Sequence, residues 1–141
     1  MPEEAPARNL RLLTEEELHE RRHILLDGIA QFNDGYFFES HETWEDLWLP
    51  SPWPVRDFLQ GVIQIAAGLV HFVRGEYPGT VSLIGAGVAK IEAFREGCLG
   101  VDVAALIDDT RRALDEIEAL GPERFREWDR RRAPRIVVAD P

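Results

Sequence analysis

Apolar side chains return along this chain at steps of three and four, the spacing of a helical face and not of a strand. Leu18, Leu25, Ile29, Phe32 and Tyr36 mark one face of a first helix. Thr14 followed by Glu17 is a capping box that sets its start. Asn33-Asp34-Gly35 ends or kinks it, because Asn and Gly tolerate left-handed backbone angles. A second helix runs from about Tyr36 to Trp48. It stops at Leu49-Pro50-Ser51-Pro52-Trp53-Pro54, where the prolines forbid continuation. The third, about Val55–Arg74, is apolar almost all round, as a central helix is. Its Gly61 and Gly68 share a face. Each lowers helix propensity by about 1 kcal/mol against alanine, which fits close approach of a neighbouring helix.

The turn Gly75–Gly79 is short, so a fourth helix, about Thr80–Glu96, packs antiparallel to the third. Val81, Ile84, Val88 and Ile91 form its apolar face, with Ser82, Gly85, Ala86 and Ala89 offering small surfaces beside it, and Gly97 suits its C-terminal cap. Asp102 is a good N-cap for a fifth helix with the stripe Val103, Leu106, Ile107, Thr110, Leu114, Ile117 and Leu120. Gly121-Pro122 closes it, and a last short helix covers Glu123–Arg132. Ile136–Val138 is too short and isolated to define a sheet. The pattern predicts an all-α fold, a compact array of five to six helices with helices two to four forming the core. A single helical domain at 13–133 lies between a loose N-terminal arm, 1–12, and an extended C-terminal tail, 134–141.

Two helices break their apolar pattern with polar residues. On the second, His41, Glu45 and Trp48 share a face with Phe37 or Phe38. Glu42 is displaced by about 100° and, with Glu39 and Asp46, forms an adjacent acidic face. On the third, Gln60, Gln64 and His71 make one stripe with Ala67 between them. A buried polar group without a partner is destabilising by about 1–3 kcal/mol, so the economical arrangement sets stripe against stripe.

Three uses of such a cluster follow. It is a structural network fixing the register of two helices. Or it is a divalent metal site for Zn, Mn or Fe, with His41, Glu45 and His71 as ligands and Glu42 as a ligand or catalytic base, in a hydrolase-like enzyme. Or it is a metal-free pocket walled by Phe38, Trp44 and Trp48, in which His41 or Glu45 anchors a small molecule and a His–Glu pair supplies acid–base chemistry. His41-Glu42-x-x-Glu45 is not the zinc-protease helix, whose second histidine is here a glutamate. Glu16-x-x-His19 and Glu20-x-x-His23 have di-iron spacing but lie in a charged segment that reads as a solvated face. Gly85-Ala86-Gly87-Val88-Ala89-Lys90 follows a helix and lacks the termination of a phosphate loop.

Composition narrows the partners. The net charge is −10, which disfavours nucleic acid and anionic lipid, the Arg-rich stretch Arg124–Arg135 being a local exception. That stretch reads as a solvated terminal helix or a contact for an acidic partner. The single cysteine, Cys98, rules out an internal disulfide framework and reads as a small buried hydrophobe. The N-terminus has no apolar signal core, and residues 58–73 are too short and too polar to span a bilayer. A cytoplasmic protein is the expectation. Four tryptophans and a glycine-lined helix admit a homodimer.

Two runs carry a family resemblance. Phe32-Asn33-x-Gly35-x-Phe37-Phe38-Glu39-x-His41-Glu42-x-Trp44-Glu45-x-x-Trp48 resembles the signature of domain-of-unknown-function family 309. So does Phe58-x-Gln60-Gly61-x-Ile63-Gln64-x-Ala66, followed by His71, Gly75, Gly79 and Leu83. The resemblance covers about residues 25–95. Glu76 and Thr80 depart from it, where Asn and Ala are usual. It implies a compact all-α bacterial or archaeal protein with no established activity, and it groups His41, Glu42, Glu45, Gln60, Gln64 and His71 as one constellation. The expected function is a structural or small-ligand- or partner-binding module, with a metal-dependent hydrolase as the alternative.

Overall fold

The most apolar stretch of the chain becomes the helix on which its neighbours pack. The computed structural model describes residues 15–48, 51 and 53–138. Among them are five α-helices: α1 Glu15–Asn33, α2 Phe37–Trp48, α3 Val55–Val73, α4 Tyr77–Ile91 and α5 Val103–Arg124. No strand occurs among the described residues, only isolated bridges joining Cys98 to Val101 and Val101 to Val138. The fold is the all-α array that the periodicity predicts. The arm at 1–12, Thr14 of the capping box and the prolines at 50 and 52 lie outside the described residues. No described helix is long and apolar enough to cross a membrane.

The contact between α3 and α4 is the most extensive in the molecule, and glycine makes it close. A Cβ on Gly61 would stand 2.5 Å from Ile91 Cγ2, and one on Gly68 would stand 2.6 Å from Ile84 Cγ1 and 2.9 Å from its backbone nitrogen. The small residue that answers them on α4 is Gly87, whose own Cβ would stand 2.5 Å from the Gly61 carbonyl oxygen. Of the small residues expected to line α4, Ser82, Ala86 and Ala89 are exposed. Helix α4 also starts earlier than Thr80. Pro78 occupies its first turn, where a missing N–H leaves no hydrogen bond unmade, so Tyr77-Pro78-Gly79 is helix and the turn is shorter.

Helix α1 buries Leu25, Ile29 and Phe32 as expected, but Tyr36 does not continue that face. Gly35 adopts φ +90°, which turns the chain so that Tyr36 is exposed. Asp102 caps α5 by accepting from the Ala105 amide at 3.1 Å. At Gly121 the backbone leaves helical angles, φ 78°, so Gly121-Pro122 does break the helix even though a further turn follows.

Beyond it the expected short helix is two separate 3-10 turns, Phe125–Glu127 and Arg130–Arg132. Their charged side chains are exposed, as expected of a solvated segment, but two aromatics make the segment a clasp as well. Phe125 and Trp128 are buried, and both meet the Phe72 ring edge-on. Glu116 of α5 accepts hydrogen bonds from Arg132 at 2.6 Å, Trp128 at 2.9 Å and Arg112 at 3.0 Å. These bonds, Arg132's foremost, outweigh burial and bring the Glu116 carboxyl down to about 2. The extended segment that follows is pinned. Asn33, at the end of α1, donates to the Ile136 carbonyl at 2.9 Å and accepts from its amide at 2.8 Å, and Ile136 itself is buried. Cys98 is half-buried, which pushes its thiol up to about 11.

Candidate functional site

Helix α2 buries Phe37, Ser40, Trp44 and Leu47, a stripe at steps of three, four and three. Trp44 sets that orientation. Its indole lies over Gly28 of α1, where a Cβ would collide with it, and its Nε1 donates to the Leu25 carbonyl at 3.2 Å. Thr43 adds a second tie to α1 by donating to Gln31 at 2.8 Å. With Trp44 wholly buried in the core, it is not the pocket wall that the sequence suggests.

The face next to this stripe looks along α3. Phe38 and His41 line a cavity of about 140 Å3 together with Ala67, Val70, His71 and Arg74. At the other end of α2, Arg56 of α3 lies over the Trp48 ring at 5.2 Å. The two helices are therefore antiparallel, with Gln64 falling between those contacts. His41 and His71, thirty residues apart in sequence, meet at one cavity. Gln60 and Gln64 are half-buried on the α3 stripe and do not line it.

The carboxylates behave differently from the expectation of a buried His/Glu/Gln cluster. Glu42 is exposed on the outer face of α2, and the Glu45 side chain is 53% exposed. A twelve-residue helix that buries Trp44 and Leu47 turns positions 42 and 45 outward. Glu45 still reaches back one turn to His41, with 3.6 Å between its Oε2 and Nε2. His71 has a closer partner that the sequence pattern did not reveal: its Nδ1 is 2.6 Å from Oε1 of Glu76, in the turn after α3. Nδ1 is thus the nitrogen turned to the carboxylate, and Nε2 the one turned away from it. Gly79 holds this ring, since a Cβ there would stand 2.6 Å from Nδ1.

Three polar atoms along the α2–α3 seam are buried without a hydrogen-bond partner: His41 Nδ1, Trp48 Nε1 and Gln64 Oε1. Phe38 lies nearly parallel to the His41 ring, 17° between planes, and is itself 47% exposed. The arrangement offers two imidazoles, each with one nitrogen toward a carboxylate, and in His41 the other nitrogen is buried without a partner. That suits hydrogen bonding to a guest and proton exchange with it. It does not suit the expected metal. Among the described residues no three His, Cys, Asp or Glu side chains gather closely enough to hold an ion, so His41, Glu45 and His71 do not form a ligand set.

The cavity does not end at Arg74. Phe38, Val70 and Arg74 also line a neighbouring cavity of about 230 Å3, bounded in addition by Glu39, Val73 and Arg130. Arg130 is held by the Gly35 carbonyl, 3.2 Å from Nη2, and by the face of Phe37, 5.8 Å away. Gly35, Phe37 and Arg130 border a third cavity, about 430 Å3, toward Arg131 and Arg135. Sequence reasoning placed none of these arginines at the site; Arg130 arrives from a segment more than ninety residues beyond Gly35–Glu39 and more than fifty beyond Arg74.

No curated protein matches the chain. Residues 25–83, from the middle of α1 into α4 and including every residue of the α2–α3 seam, match the family model of DUF309, a domain of unknown function, so the resemblance read from the two motifs is borne out over that stretch.

Proposed function

We propose that the chain is a small-ligand-binding module whose site is the seam between α2 and α3, with His41 and His71 as its polar contacts and Phe38 as a wall. One observation carries the reading: His41 Nδ1, Gln64 Oε1 and Trp48 Nε1 are buried on that seam and satisfied neither by each other nor by any other described residue. A network kept for stability pairs its members, because an unpaired buried polar atom is destabilising by about 1–3 kcal/mol. Groups left in that state call for a partner from outside the chain, an ordered water or a ligand.

The sign of one substitution separates the readings. Gln64→Leu, of similar volume, removes the orphaned oxygen. A binding seam predicts unchanged or higher stability, by up to about 1 kcal/mol, measured as the urea midpoint of unfolding. A structural network predicts a loss of about 1 kcal/mol or more, and that result would end the ligand-site reading.

A further inference from the structure

We infer that the molecule bound in this seam is an amphipathic oxyanion: a carboxylate or phosphate head held between Arg74 and Arg130, on a compact apolar body lying against Phe38, Val70 and Val73. This rests on the seam being a binding site and adds the class of its ligand.

Three observations converge on it. The first is continuity. The His41–His71 cavity of about 140 Å3 and its neighbour of about 230 Å3 are each smaller than an ordinary ligand site of about 300–1,000 Å3. Sharing Phe38, Val70 and Arg74, they make one trough that falls in that range.

The second is charge. The chain carries a net charge of −10, yet this trough is bordered by two guanidiniums against one carboxylate, Glu39. Among the described residues no acid lies within ion-pair distance of Arg74 or Arg130. Arg130 is already oriented by Phe37 and the Gly35 carbonyl, so it loses little freedom on meeting an anion. Guanidinium is the side chain that matches a carboxylate or phosphate with paired N–H donors.

The third is apolar surface. Phe38 is 47% and Val73 49% exposed, and both border the same cavity. The head therefore has its cations and the body its wall, while His41 and His71 face the far end of the molecule.

Benzoate and phenyl phosphate probe the class, with benzamide as the uncharged isostere of benzoate. Binding is followed by NMR, through the ring signals of His41 and His71 and the amide of Gly35. The expected result is that benzoate, phenyl phosphate or both move these signals saturably, and that benzamide binds at least tenfold more weakly. Arg74→Gln should weaken the anions about tenfold or more. Arg126→Gln, the loss of an exposed cation that lines neither cavity, should leave them unchanged. Circular dichroism of each variant confirms that it is folded.

Equal binding of benzoate and benzamide overturns the anion class but leaves the seam as a site, as does a full response in Arg74→Gln. A protein in which no probe moves His41 or His71 overturns both readings. A concentration-dependent dimer that Phe38→Ser dissolves, with no anion response, would put a second copy in the trough and likewise overturn the inference.

Discussion

Consider alanine at Gly87 and at Gly85, two residues apart on α4. An intrinsic propensity scale predicts the same result at both, a gain of up to about 1 kcal/mol. The structure predicts opposite signs. A Cβ at Gly87 lands 2.5 Å from the Gly61 carbonyl oxygen, 2.8 Å from Ile65 Cγ1 and 2.9 Å from the Ile65 nitrogen. Two of these three atoms are main chain, so no rotamer change relieves the clash, and α3 and α4 must separate. Overpacking of this kind is destabilising by about 1–3 kcal/mol. The upper end applies, because a gap of about 0.5–1 Å along a glycine-lined seam forfeits a quarter to a half of each local dispersion contact. Set against the propensity gain, Gly87→Ala loses about 2 kcal/mol. At Gly85 the nearest foreign atom is Leu114 Cδ2 at 3.9 Å, ordinary contact, so Gly85→Ala gains about 0.5–1 kcal/mol. Urea unfolding followed by far-ultraviolet circular dichroism reads both, as a shift in midpoint at constant slope. If Gly87→Ala proved as stable as the parent, the close approach of the two helices would be wrong.

Asn33→Ala removes both hydrogen bonds to Ile136 and should lower the local stability of that segment by about 2 kcal/mol, seen as faster amide exchange at Ile136. Glu116 titrates lower in the fold than its ordinary 4.5, so its stabilisation is complete above that range and is lost as pH falls toward about 2. Glu116→Gln should therefore be less stable than the parent at neutral pH, by roughly 1 kcal/mol once solvent screening is allowed for, and the gap should narrow in urea titrations below pH 4.5. Gly79→Ala intrudes on the ring of His71, which can swing away, so stability should change by less than about 1 kcal/mol. The His71–Glu76 hydrogen bond should break, read as a change in the His71 ring nitrogen resonances.

Helix positions were legible because burial of a face leaves a period. Leu25, Ile29 and Phe32, the Asp102 cap and the paired Gly61 and Gly68 all follow from local rules. The rotation of α2 was not. His41–Glu45–Trp48 and Phe37–Ser40–Trp44–Leu47 are both respectable helical faces, and the choice rests on Gly28 of another helix, which admits the Trp44 indole. Gly87 was hidden in a run that looked like a broken phosphate loop. Glu76 and Arg130 reach the site from a turn and from a distant 3-10 segment, where no periodicity is imposed. The meeting of His41 with His71 was legible because two half-polar stripes on consecutive helices have few other ways to bury their polar groups.

The pairing of Asn33 with Ile136 spans 103 positions, and that of Gly35 with Arg130 spans 95. In chain order the residues that brace the α1–α2 junction follow only after α3, α4 and α5. Without that later segment the α1–α2 pair lacks the arginine that borders the trough beside Phe37. The anion site inferred above is thus one that only long-range closure of the chain assembles.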